Sequence, residues 1–478
     1  MPDAVAVVTL LAWLLVLLHL PRLAYNIAGL ARRKQHLQNH GKDVRLSVVI
    51  AAKQEPIHLI KGLLVNLATQ RCKPYEVILV WDWPRNDFEK VAENLWKFAD
   101  RLGLRLRVVA KPWHGRGKSS VLNFAARLAT GDALLVIDVD DRLCDADVLC
   151  KASELVRKHH AVQLGIVGIA PFHHLQRPTA LAIHTGFRVM HEGRHRLGLS
   201  LLLVGSGLLI DAKLARRLLF DENATVEDVD LAVRLAELGI RPALLSDALC
   251  MSGAPGYRAF RRQQARWSYG VAWVLRKRAR ILARLGPRGL ELAYTLANYI
   301  LDPLTSIASA LVAVVGSSPL PLYAYTLVMT TESMLATLHA RTAPVAKRAR
   351  SMATAGAFGI VLQPILLLHW LRGFSGAPGI FHVTPRRAGR GERPGRLETI
   401  YATLLALAGA IAWYRWGFLA AFPLVAPLLA TLYLHIRLPA LASGSPQHPQ
   451  EPSRRKPSPR SGASRRPSPS LSRRPRHL

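Results

Sequence analysis

Ala133-Leu134-Leu135-Val136-Ile137-Asp138-Val139-Asp140 is a run of five apolar residues leading straight into an Asp-x-Asp pair. An apolar run of this length suits a strand covered on both faces, and α/β sheets bind ligands at the carboxyl ends of such strands. Outward from it, similar runs occur at 46–51, 76–81, 105–109 and 243–245, and amphipathic helices are predicted over 57–69, 87–102 and 119–129. Strands alternating with helices predict a mainly parallel sheet with helices on both faces.

The rest of the 478 residues has a different character, since half of all residues are hydrophobic and they are concentrated at the two ends. The stretch 5–20 is almost uninterrupted apolar sequence, and the runs 290–315, 320–338, 352–371, 397–413 and 418–436 are each long enough to cross a bilayer. A cleaved signal peptide competes for 5–20, but the basic residues follow the apolar run instead of preceding it. Basic loops at 341–350 and 386–396 both belong on the cytosolic side by the positive-inside rule. The run between them, with Gln363, Pro364 and His369, is therefore predicted to lie in the interface or re-enter. That leaves five spans, with the N-terminus outside and the tail inside.

The formal charge is +33, with 64 Lys and Arg against 31 Asp and Glu. Much of the excess lies beside the apolar runs and in the Ser/Pro/Arg-rich tail 443–478, which is too polar to bury a core. Anionic lipid headgroups are the expected partner of that charge. Nucleic acid is not, because no aromatic platform is interleaved with it. Cys72, Cys144, Cys150 and Cys250 form no close pair in sequence and are expected to be inert thiols in a reducing compartment.

Asp138 and Asp140, two apart on extended backbone, point to one side and can share a divalent ion whose other ligands are phosphate oxygens and water. Acidic residues also end strands simply as turn formers. Glu227 and Asp228 open a helical run with Leu231, Leu235 and Leu238 on its apolar face, where acids also complement the helix dipole. Gln263, Arg266 and Trp267, at i, i+3 and i+4, fall on one helical face and suit a diphosphate and a sugar ring. A Trp anchored at a membrane surface is the plainer account of that helix.

The ordered series 46–56 (LeuSerValValIleAlaAlaLysGlnGluPro), 117–123 (GlyLysSerSerValLeuAsn), 138–140 (AspValAsp), 205–207 (GlySerGly), 226–231 (ValGluAspValAspLeu) and 263–267 (GlnGlnAlaArgTrp) resembles the family 2 glycosyltransferases, and within them the cellulose synthase and hyaluronan synthase group. PheHisValThr, 381–384, is similar to the FxVT gating loop of bacterial cellulose synthase. The resemblance implies a GT-A-type α/β domain inserted in an α-helical transmembrane domain. It divides the chain into a first span (1–22), a linker (23–45), the GT-A domain with its QxxRW helix (46–285), two spans (286–340), an interfacial helix with the gating loop (341–396), two spans (397–437) and a basic tail (438–478).

The resemblance implies that Glu55 and Asp82 hold the nucleoside with Lys118 nearby, and that Asp138 and Asp140 hold the donor and Mg2+ or Mn2+. It makes Asp228 the catalytic base, sets Gln263 and Arg266 on the diphosphate and Trp267 on the acceptor sugar, and closes Phe381, Val383 and Thr384 over the nucleotide. Two positions depart from the family pattern: Val226 stands where Thr precedes Glu-Asp, and TrpAspTrpPro (81–84) replaces an acidic-Gly stretch, which weakens the carry-over to Asp82. The activity implied is inverting transfer from a nucleotide-diphosphate sugar, a UDP-sugar first, onto a growing polysaccharide that leaves through the membrane helices. A single transfer to a lipid-linked acceptor is the alternative. The implied place is the plasma membrane, with the catalytic domain and tail cytosolic.

Asp302, followed by Pro303, and Glu332 are carboxylates inside apolar runs. A carboxylate facing lipid costs at least about 2.5 kcal/mol, so both are candidate channel-lining residues; for Asp302 a plain helix break at Asp-Pro is an equal alternative.

Overall fold

In a computed structural model of the chain, the residues described are 2–31, 44–53, 55–82, 88–113, 117–171, 174–345, 349–378 and 392–443. Eight strands, β1 (Leu46–Ala52), β2 (Glu76–Trp81), β3 (Leu106–Ala110), β4 (Ala133–Ile137), β5 (Arg142–Leu143), β6 (Ala161–Ile169), β7 (Leu208–Asp211) and β8 (Ala243–Ser252), form one sheet in the order β3-β2-β1-β4-β7-β6-β8-β5. The half β3-β2-β1-β4 is parallel, with helices Ile57–Ala68, Phe88–Arg101 and Gly117–Leu128 between its strands. Every residue of β2 and β4 is buried, as strands covered on both faces require.

The second half keeps the sheet mainly parallel, with β6 parallel to β8, but adds antiparallel pairings. β7 runs antiparallel to both β4 and β6, so the sheet is mixed. β7 has only four residues, and β6 carries Gln163, Gly165 and Gly168 in its run, so neither has the clean apolar pattern of the first half. The 227 helix forms as expected, but Leu238 caps it and is exposed, whereas Leu231 and Leu235 are buried.

The cysteines are also corrected: Cys72 is joined to Cys150 and Cys144 to Cys250. The partners lie 78 and 106 residues apart, and only the folded sheet brings them together. The Cys144–Cys250 link clips β5, directly behind the Asp-x-Asp pair, to β8.

Among the described residues, four helical stretches are long and apolar enough to cross a membrane: Asp3–Leu30, Pro287–Val315, Arg396–Trp416 and Phe418–Leu441. Leu320–Ala340 is a 21-residue helix, but its Thr residues, Glu332 and His339 keep it below that apolarity. The first stretch does not stop where the polar linker was placed, because helix Leu20–Leu30 carries on after a break at His19, with Pro21 in its first turn. Helices Ala349–Val361 and Gln363–Ser375 meet at 45° around Leu362 and Pro364. A bend of this kind suits a broken span as well as a re-entrant loop.

Candidate active site

The carboxyl ends of the parallel strands carry the charge. Lys53 follows β1 and lies 3.0 Å from Asp82, which follows β2; the buried Lys111 after β3 lies 2.7 Å from the same carboxylate. Glu55 accepts a hydrogen bond from the Lys53 amide. Asp138, at the end of β4, accepts from the Lys118 ammonium at 2.6 Å, and Lys118 also donates to the Gly205 carbonyl at 2.8 Å. Asp141, buried beside Asp140 and Asp138, is pushed well above the usual carboxylate range by burial and by those two neighbours. Asp138 and Asp140 present hard oxygen donors beside this site, and such donors fit Mg2+ or Mn2+.

Asp228, in the first turn of helix Glu227–Glu237, is pushed up to about 7 by burial and by Glu227, against the Val229 amide, Lys118 and Arg266, which pull it down. Its approach to Lys118 depends on Gly205, where a Cβ would lie 3.2 Å from Asp228 Oδ2 and 3.3 Å from Lys118 Nζ. Gly270 likewise leaves room for the segment before Asp228: a Cβ there would come 2.7 Å from Thr225 and Val226. Helix Tyr257–Lys277 can therefore pack onto the segment leading to Asp228 and bring Arg266 to it. Gln263 Oε1 is buried with no hydrogen-bond partner among the described residues, as an atom awaiting a ligand would be.

One cavity of about 1510 Å3 is lined by Lys118, Asp138, Asp140, Asp228, Gln263, Arg266 and Trp267, and it continues to Arg22, Asp302 and Glu332. Asp82 and Glu55 stand behind Lys53, which itself lines the cavity. Phe381, Val383 and Thr384 lie outside the described residues. The segments on either side of them are both tied to the helix that carries Gln263, through Tyr269 to the Ala377 carbonyl at 2.7 Å and through Arg261 to Glu398 at 2.5 Å.

Sequence reasoning missed the partner of Asp302 and Glu332. Arg22 donates to both oxygens of Asp302 at 2.7 Å and to Glu332 through Nε at 2.7 Å, while His19 Nδ1 accepts from it at 2.9 Å. His19, Asp302 and Glu332 are close enough to hold a metal ion, but the cation between them is the guanidinium. A 3-10 turn, Asn298–Ile300, interrupts the helix just before Asp302, and Asp302 lines the cavity. The only signal in the sequence was an arginine just past the first apolar run.

Residues 47–200 match the description Glycosyl transferase family 2, and residues 133–339 match Glycosyl transferase family group 2. The fold is similar to that of a mannosyltransferase from Pyrobaculum calidifontis solved with GDP-Man and Mn2+, with a TM-score of 0.56 and 19% identity over 78% of this chain and 100% of that one. A mixed α/β sheet of this kind, with acidic residues at its strand ends, is the GT-A class of glycosyltransferase fold. Together the two matches run from residue 47 to residue 339 and support a glycosyltransferase family 2 domain there.

Among curated proteins, a "probable glycosyltransferase" of Sulfolobus acidocaldarius is 27% identical over 274 residues, 54% of this chain and 57% of that one. A second, from Bacillus subtilis, is 24% identical over 248 residues, 49% of this chain and 56% of that one. The chain thus spans about half the length of the curated relatives it matches. A shorter stretch of 57 residues, 12% of this chain and 10% of that one, is 47% identical to a "probable glucomannan 4-beta-mannosyltransferase" of Arabidopsis thaliana.

Proposed function

We propose that the chain is a membrane-embedded inverting glycosyltransferase of the cellulose synthase type, which moves sugar from a nucleotide-diphosphate sugar to a growing polysaccharide and passes the product along its cavity. The observation that carries this reading is the single cavity joining Asp228, Lys118 and Arg266 to the polar cluster Arg22, Asp302 and Glu332 between apolar helices.

Asp228 takes the proton from an acceptor hydroxyl while that oxygen attacks the anomeric carbon and the nucleoside diphosphate departs. A carboxyl pushed up to about 7 is matched to this task near neutral pH. Lys118 and Arg266 face the negative charge that grows on the leaving diphosphate. A divalent ion held by Asp138 and Asp140 supplies further charge neutralisation there when bound. One displacement inverts the anomeric centre. Trp267 offers its ring face to the acceptor sugar, Glu55 and Asp82 flank the nucleoside, and Phe381, Val383 and Thr384 close over it.

The test is to incubate the purified protein in lipid nanodiscs with radiolabelled GDP-mannose, UDP-glucose and UDP-N-acetylglucosamine, with Mg2+ or Mn2+, and to size the product. Long polymer is expected. A single sugar on extractable lipid would replace this reading with transfer to a lipid carrier, and no transfer from any donor would sink it.

A further inference from the structure

His191 belongs to a π-helical turn, Arg188–Gly193, set between helices Gln176–Phe187 and Arg194–Arg196. A π turn interrupts the regular hydrogen-bond ladder and recurs at functional sites. This one is pinned by Arg188, which pairs with Glu192 and Asp247, and by Gly193, whose place a Cβ could take only at 2.0 Å from the Tyr25 carbonyl oxygen. The imidazole stacks on Phe187, centroids 4.7 Å apart and planes within 8°.

Nδ1 of His191 lies 3.0 Å from the Leu202 carbonyl oxygen. A carbonyl can only accept, so Nδ1 carries the ring proton. Burial pushes the ring down to about 4, which keeps it neutral near neutral pH. A neutral imidazole has one N–H, so Nε2 is a bare lone pair. Among the described residues Nε2 has no hydrogen-bond partner, and His191 lines the cavity that holds Asp228 and Trp267. Leu202 fixes the ring and lies three residues before Gly205, on which Asp228 and Lys118 converge.

We propose that His191 Nε2 accepts a hydrogen bond from a hydroxyl of the acceptor sugar and so selects a hydroxyl-bearing acceptor over a lipid phosphate. A fully ionised phosphate has lone pairs and no proton to offer to this nitrogen, whereas every sugar ring carries several donors. The assignment rests on the glycosyl-transfer reading above.

The experiment uses the full chain in nanodiscs with the donor found in the panel above, and manno-oligosaccharide and polyprenyl phosphate as the two acceptor probes. Transfer to each and donor hydrolysis by water are followed separately. His191→Leu is expected to lower transfer to the oligosaccharide about tenfold more than it lowers donor hydrolysis, the loss of one satisfied hydrogen bond. His191→Gln, whose amide oxygen still accepts, is expected to recover some of that difference. Calorimetric binding of the oligosaccharide with nucleoside diphosphate present gives the same comparison without turnover.

Equal losses in transfer and hydrolysis, or oligosaccharide binding unchanged in a folded His191→Leu protein, would overturn the assignment. So would a wild-type preference for the polyprenyl phosphate. A wild-type protein that neither hydrolyses nor transfers any donor would instead remove the transferase reading itself. Where the Leu variant does not fold, the Gln variant and the binding measurement decide.

Discussion

Lys118 Nζ lies 2.6 Å from Asp138 Oδ1, and the same ammonium lowers the carboxyl of Asp228 on the far side of Gly205. One lysine therefore serves both the acidic pair and the base. In Lys118→Met the acidic limb of kcat/KM, set by Asp228 near 7, should move to higher pH, because a cation favouring the ionised base is gone. A pH–rate series checks it, and a limb that stays or moves down counts against the coupling.

Asp228→Asn should lose turnover by a factor on the order of 10³ or more while keeping donor affinity, since the base acts on the acceptor in the transition state. It should also be more stable. The Asp228 carboxyl titrates higher folded than unfolded, so its ionisation costs stability as pH rises through about 7 and costs nothing below its ordinary value. At pH 8 the Asn protein should gain on the order of 4 kcal/mol, and at pH 4 almost none of that difference should remain. Melting curves at both values decide.

Asp140→Ala should weaken Mg2+- or Mn2+-dependent nucleotide binding by roughly tenfold or more, with little change in binding measured in chelator. Identical metal titrations for wild type and variant would remove Asp140 from the metal site.

Arg22→Leu leaves the half-buried Asp302 and Glu332 without their counter-ion and, with solvent screening part of the loss, should destabilise the protein by roughly 1–3 kcal/mol. Asp302→Leu should be milder, because Arg22 keeps Glu332. If the cluster borders the product path, Asp302→Leu shortens the polymer while donor hydrolysis persists. Full-length product from this variant would rule out that role.

Opening the clip in Cys144→Ala/Cys250→Ala should lower stability by about 2–5 kcal/mol. Denaturant midpoints with and without dithiothreitol provide the check: the reductant should shift the midpoint less in the double variant than in the wild type.

The first half of the sheet was legible because β1 to β4 alternate with amphipathic helices at short range, and each strand and helix there lies within a residue or two of its expected place. Asp138, Asp228 and the face holding Gln263, Arg266 and Trp267 were legible for the same reason, since spacing along one element fixes their common side. What sequence could not carry is anything that depends on distant segments meeting. β7 is antiparallel because the chain returns past β4. Cys144 finds Cys250 only across the finished sheet, and Arg22 finds Asp302 from 280 residues away. His191 gave no signal, since a lone histidine after an amphipathic helix has no pattern until the Leu202 carbonyl fixes its proton.

Arg22 is made long before the carboxylates that neutralise it. At roughly 5–20 residues per second, about 14–56 s separate its synthesis from that of Asp302. During that interval the ribosome has already released a hydrophobic helix with an unmatched guanidinium at its end. The helix needs water, lipid headgroups or an insertion factor at that charge until residues 302 and 332 arrive. The pairing is thus a delayed one, and the first helical stretch cannot be exchanged for one that lacks Arg22 without losing it. A fusion that replaces residues 1–30 with an unrelated apolar helix would leave Asp302 and Glu332 with no cation waiting, and quality control should recognise that chimera as misassembled even when its catalytic domain has folded.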